Sequence, residues 1–229
     1  MQPPIGGVLE SEILDQVIVD CGANKSGKSE GDETAMMEGN VFTTIYMVRH
    51  AESPFVFGQE RERGLSPEGV ADARRVAECF ADLDVHYMAS SPYVRAVQTI
   101  QFVAEQKSLP IVEYEAFIER PIKGLDYKSS WDVLQEAIRT SFTDHDFAME
   151  GGESTRSAQR RAIPVLEMIL QQHQGESIVI GTHGNIMTIM MNYYDASYGF
   201  DFWESTSKPD IYRMTFQRNR LESIERIWK

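Results

Sequence analysis

From residue 41 onward, short apolar runs alternate with longer stretches in which apolar residues recur every three or four positions. Residues 43–48 (TTIYMV) and 177–181 (SIVIG) are apolar at nearly successive positions, as in strands buried on both faces. Residues 85–89 and 111–115 read as two more strands. Residues 211–217 and 221–228 read as a closing hairpin around Arg218 and Asn219. Ser66, Pro67 and Glu68 supply an N-cap hydroxyl and an N1 proline, and open a helix to about Phe80. Ser91 and Pro92 repeat that signal before a helix to about Lys107. Further helices are expected near 131–140, over 154–172 and over 186–194. Pro164 should kink the second of these, because it removes a backbone donor. Strands alternating with helices predict a three-layer α/β/α fold around a mostly parallel sheet, residues 41–229 forming one domain.

Residues 1–40 follow another pattern. They hold eight acidic residues against two lysines, six glycines and no aromatic residue. This composition predicts a weakly structured acidic extension; a start codon assigned too far upstream would explain it equally well. Residues 22–29 match the phosphate-loop pattern G-x-x-x-x-G-K-S, but Gly31 opposes the helix such a loop must open. The forty residues also lack the further strands and magnesium-holding acid of a nucleotidase, so the match is expected to be fortuitous.

The whole chain is 42% apolar and 25% charged, which excludes general disorder. Its formal charge of -13 argues against nucleic-acid binding, and an anionic substrate must be held by locally concentrated arginines. No run of eighteen apolar residues predicts a membrane span, and no apolar h-region predicts a secretory leader. A cytoplasmic protein is therefore expected, of open oligomeric state. Two cysteines are too few for a disulfide scaffold.

Ligands of mainly parallel sheets sit off the carboxyl ends of the strands. Arg49 and His50 follow the first strand, Ser90 to Arg95 the second, Glu119 the third, and Thr182, His183 and Gly184 the fourth. Two histidines, two arginines and an acid thus converge on one sheet edge, a set suited to phosphoryl transfer. The His50 imidazole can attack phosphorus, splitting one displacement into two. Arg49 and Arg95 can clamp the equatorial oxygens and His183 can donate to them, while Glu119 is placed to protonate the leaving alkoxide. Ser53, Arg63 and Gly184 join Arg49 and Arg95 as candidate substrate-binding residues. No cofactor or metal is called for, since the arginines supply the positive charge.

The same residues resemble the histidine phosphatase superfamily, with its phosphoglycerate mutase-like fold. Arg49-His50-Ala51-Glu52 is similar to the family's R-H-G-E, and Leu65-Ser66-Pro67-Glu68-Gly69 with Ala73 to its L-T/S-x-x-G-x-x-Q-A. Ser90-Ser91-Pro92 through Arg95-Ala96 to Gln98-Thr99 resembles S-S-x-x-R-A-x-Q-T. Gly152-Glu153-Ser154 and Thr182-His183-Gly184 match the later motifs. The resemblance implies that His50 is the nucleophile, that Arg49, Arg95 and His183 complete the phosphate pocket, and that Glu119 is the proton donor. The chain departs from the pattern at Ala51, where the family usually has glycine, and at Asp72, Thr182 and Asn185. The asparagine often found past the nucleophile is missing from Pro54-Phe55-Val56-Phe57.

Three readings follow: a metal-independent phosphomonoesterase, a cofactor-dependent phosphoglycerate mutase, and a silent binder of phosphorylated ligands on the same fold. The short interval from Glu119 to His183 and an expected apolar rim of Phe55, Phe57, Phe202 and Trp203 favour the phosphatase, acting on a small phosphorylated substrate. Glu52, Glu115 and Glu153 compete with Glu119 for the acid's role.

Overall fold

A computed structural model describes residues 41–229. The expectations for the acidic segment and its phosphate-loop pattern lie outside the described residues. Six strands, β1 (Phe42–Arg49), β2 (Tyr87–Ser90), β3 (Val112–Glu113), β4 (Ser177–Thr182), β5 (Asp210–Gln217) and β6 (Arg220–Arg226), form one sheet in the order β3-β2-β4-β1-β5-β6. The pairs among β1 to β4 are parallel; β5 runs antiparallel beside β1, and β6 antiparallel beside β5.

The apolar runs are explained by what covers the sheet. Successive side chains of a strand point to opposite faces. Ile45 and Met47 of β1, with Ile178 and Ile180 of β4, meet Ala162 and Leu166 of α4 (Thr155–Gln172) and Met187 and Met190 of α5 (Gly184–Tyr194). Tyr46, Val48 and Val179 point the other way, to Val76 of α1 (Pro67–Cys79) and Ile100 and Val103 of α2 (Val94–Lys107). Burying each large aliphatic side chain contributes roughly 1.5–3 kcal/mol, so both faces hold the strand ends in place. α3 (Trp131–Thr143) and the short α6 (Phe200–Ser205), which the periodicity did not announce, complete the helices.

Local signals mostly hold. The Ser66 hydroxyl accepts the Gly69 N–H at 2.9 Å, capping α1 with Pro67 as its first residue. Pro164 lies inside α4, on its exposed side, where water can take the carbonyl one turn back. Arg218 turns the β5–β6 hairpin at φ 56°. The expected third strand shrinks to two exposed residues at the sheet edge. After Tyr114 donates to the Ser90 carbonyl at 2.8 Å, a 3-10 turn over Glu115–Phe117 buries Phe117 instead. Helix α2 starts at Val94 with Tyr93 as its N-cap, so Ser91 does not cap it.

Candidate active site

The register of β1 against β4 pairs Arg49 with Thr182, so the next residues, His50 and His183, leave neighbouring parallel strands at one level. The His50 N–H donates to the Thr182 carbonyl at 2.9 Å, and the two rings lie 5.3 Å apart, 65° between their planes. Both rings are buried. His50 Nδ1 lies 2.7 Å from the Ala51 carbonyl. A carbonyl only accepts, so Nδ1 carries the proton and Nε2 keeps its lone pair. Burial, then the Arg95 charge, holds His50 well below its ordinary 6.5, against the raising effect of the Ala51 carbonyl. Burial and Arg95 likewise lower His183. Ala51 costs no strain, because it is not among the residues at positive φ. Its N–H donates to Thr99 Oγ1 at 2.9 Å, and Thr99 donates to the Arg95 carbonyl at 2.7 Å, tying the loop after His50 to α2.

Arg49 and Arg95 are both buried, and the Nε of each lacks a hydrogen-bond partner among the described residues, as does His183 Nδ1. Buried donors left unpaired cost free energy that an anion's oxygens would recover. Arg49 Nη1 donates to the carbonyl of Thr206 at 2.9 Å and to its hydroxyl. A methyl group on Gly184 would lie 2.7 Å from Arg49 Cζ, so glycine at the start of α5 is what admits the guanidinium. Burial, then the Arg63 charge, lowers Arg95 to about 10, which leaves it protonated at neutral pH.

Glu119 sits on the N-terminus of α5. Its Oε1 accepts the N–H groups of Arg120 at 3.0 Å and Ile186 at 2.9 Å, and its Oε2 that of Asn185 at 3.2 Å. A carboxyl group offers about four lone-pair sites, so one on Oε2 remains for a proton. Two competing acids are engaged elsewhere: Glu153 is held by Arg161 Nε at 2.8 Å, and Glu115 pairs with Arg61 on the surface. Glu52 is exposed.

Ser53 and Arg63 hold each other at the loop base: Arg63 Nη1 donates to Ser53 Oγ at 2.7 Å, and Ser53 donates to the Gly64 carbonyl at 2.7 Å. Arg63 also reaches Glu60, whose Oε2 lies 3.2 Å from Nη2 of both Arg63 and Arg95. The Glu60 carbonyl accepts from Arg95 as well. A carboxylate of the chain's own loop thus occupies the guanidinium of α2. Beyond it a groove of about 260 Å³ runs past Tyr93, Glu119, Phe55, Phe57, Leu125 and Leu134. Phe202 and Trp203, expected at the rim, do not line it. Phe202 packs on Tyr198 and Tyr212, and Trp203 on Phe200 and Trp131.

Several neighbours escaped the sequence reading. Ser91 Oγ shares a 2.8 Å hydrogen bond with His183 Nε2, and the Tyr93 ring lies 5.1 Å from the His183 ring. Both follow β2 directly, which was the available signal. Thr206 and Lys208 lie before β5 and Asp210 opens it, rather than following a strand. Because β5 is antiparallel, with Asp210 opposite Arg49, its start shares the edge where the parallel strands end. Buried Asp210 anchors the segment through Tyr212 Oη at 3.0 Å and Arg226 Nε at 2.8 Å. Lys208 is exposed as a residue, yet its ammonium is lowered by desolvation, then by Arg49 and Arg63. Among the described residues, no three His, Cys, Asp or Glu side chains are grouped to hold a metal ion, and no helix is long and apolar enough to cross a membrane.

A family model described as the histidine phosphatase superfamily (branch 1) matches residues 45–224. Phosphoserine phosphatase 1 of Hydrogenobacter thermophilus is 26% identical over 80% of this chain and 90% of its own. The metal-independent phosphoserine phosphatase of Arabidopsis thaliana is 29% identical over 68% of this chain and 69% of its own. In structure, a mycobacterial glucosyl-3-phosphoglycerate phosphatase superposes with a TM-score of 0.65 at 15% identity, covering 81% of this chain and 97% of that one. A phosphoglycerate mutase from Bacillus anthracis gives 0.64 at 15% identity, covering 82% and 93%. These two structures share the fold.

Proposed function

The chain belongs to the histidine phosphatase superfamily and is a phosphomonoesterase of it; from that premise we propose that it hydrolyses small phosphomonoesters through a covalent phosphohistidine on His50, without a metal. The observation that carries this reading is the pairing of a neutral His50, its Nε2 free because Nδ1 is bound to Ala51, with buried, partly unpaired Arg49 and Arg95.

In the first step the Nε2 lone pair forms a bond to phosphorus while the bond from phosphorus to the alcohol oxygen breaks. The electron pair leaves on that oxygen, which takes the proton of Glu119. Arg49, Arg95 and His183 donate to the equatorial oxygens, where charge is greatest in the transition state. In the second step Glu119 removes a proton from water, the water oxygen attacks phosphorus, and the phosphorus–nitrogen bond breaks. His50 returns to its starting form, and inorganic phosphate is released. Ser53 and Arg63 position the loop over the clamp, and Gly184 admits Arg49. O-phosphoserine enters as a candidate substrate through the relatives named for it. The compartment in this reading is the cytosol, which fractionation would test.

Steady-state assays with p-nitrophenyl phosphate, O-phosphoserine and 3-phosphoglycerate test the reading. Phosphate should be released from monoesters, and EDTA should not change the rate. Interconversion of phosphoglycerates without phosphate release would instead mark a mutase. Loss of activity in EDTA that magnesium restores would mark a metal-dependent enzyme, and binding without turnover a silent relative.

A further inference from the structure

The groove beside Glu119 is apolar where the phosphate clamp is charged. Phe55 and Phe57 come from the loop after β1, Leu125 from the loop after Glu119, and Leu134 from α3. Phe55, Phe57 and Leu125 are exposed, although large apolar groups clustered in water usually mark a surface that something covers. Tyr93 divides the two regions. It lines the groove, while its ring lies 5.1 Å from the His183 ring and 5.0 Å from the Arg95 guanidinium carbon. Glu119 also lines the groove, so the groove borders the acid that would meet the leaving oxygen.

Of the groove's two cations, Lys123 is engaged within the chain and Arg120 is buried. Lys123 donates to the carbonyls of Gly124 and Tyr127 and lies 4.4 Å from the Tyr127 ring centre. Arg120 is 3% exposed and donates to Thr155 at 3.3 Å; its Nε has no hydrogen-bond partner among the described residues, and Glu119 and then Glu153 act on its charge. The remaining charged lining residues are the acids Glu60 and Glu119. A leaving group with its own carboxylate would meet two acids there, a lysine held by carbonyls and an arginine that is buried.

We propose that this groove holds the alcohol part of the substrate and selects an apolar one, a single aromatic ring or short branched chain, over alcohols that carry charge. A space of about 260 Å³ has room for a group of that size. The inference rests on the phosphatase reading, whose alcohol must leave past Glu119.

The test compares 2-phenylethyl phosphate with ethyl phosphate and O-phosphoserine, all esters of alkyl alcohols that leave as alkoxides. The full chain should show kcat/KM about tenfold or more higher for 2-phenylethyl phosphate than for either other ester. In Phe55→Ala and in Leu125→Ala the ratio of phenylethyl to ethyl ester should fall toward one. Equal rates for all three, preference for O-phosphoserine, or an unchanged ratio in both variants would overturn the proposal. Calorimetry with 2-phenylethylphosphonate and ethylphosphonate reads the groove without turnover. Tight phenylethylphosphonate binding that Phe55→Ala weakens, with no ester hydrolysed, would remove the phosphatase reading and leave the groove as a binding site. Hydrolysis with equal binding of the two phosphonates would remove the groove and keep the phosphatase.

Discussion

At the phosphate end of the site, His50, His183 and Arg95 are 4%, 0% and 1% exposed and follow buried strands or sit in a packed helix. At the alcohol end, Phe55, Phe57 and Leu125 are 71%, 51% and 63% exposed and stand on loops. In the proposed reaction the first group would perform a step common to every phosphomonoester, and it gains from being held by the core. The second would meet the part of the substrate that differs, and loops change without disturbing a sheet. Rate should therefore depend on the first region whatever the alcohol, and substrate choice on the second.

The largest effect that would break this division is at Arg95. Arg95→Ala should lower kcat/KM by about 10²–10³-fold for alkyl and nitrophenyl esters alike, since the charge it stabilises is common to both. A loss confined to one ester would place Arg95 among the selecting residues. Next comes Glu119→Gln, expected to cost about 10²-fold for ethyl phosphate and little for p-nitrophenyl phosphate, whose phenoxide leaves without a proton. Equal losses in steady-state kinetics would remove Glu119 from the acid's role.

A smaller effect belongs to Glu60, which links the two regions by holding Arg95 from the rim loop. Glu60→Gln should make inorganic phosphate a tighter competitive inhibitor by about two- to fivefold, the worth of a partly exposed ion pair. Weaker inhibition would mean that Glu60 orders Arg95 for phosphate instead of competing with it.

The smallest effect is on stability. Both histidines are lowered well below 6.5 in the folded chain, so as pH falls the unfolded chain takes up protons first. Their contribution is full above about pH 6.5 and is lost below it, as pH falls toward the lowered folded values. Thermal unfolding between about pH 7 and pH 5 should show a falling Tm, with a shallower slope in the His50→Gln, His183→Gln double variant. An identical slope would mean that other groups govern the acid limb.

The gathering of Arg49, His50 and His183 at one sheet edge was legible in the sequence, and the reason is physical. A strand buried on both faces announces itself as a continuous apolar run, and a parallel sheet puts chemistry directly after such runs, where Arg49, His50 and His183 stand. The same rule hid Thr206, Lys208 and Asp210, because the antiparallel strand β5 brings its beginning to that edge. Ser91 was misread because serine before proline is also a helix-cap signal, and its hydroxyl went to His183 instead. Phe202 and Trp203 were assigned to the rim from aromatic character alone, which does not say which side of a helix faces the groove.

Trapping the phosphoenzyme tests the central claim most directly. Rapid-quench labelling of the full chain with a radioactive phosphomonoester should give an acid-labile, base-stable adduct. After digestion it should map to the peptide containing His50, and His50→Ala should give none. Equal labelling of that variant, or an acid-stable label on a peptide containing Ser91, would contradict the account.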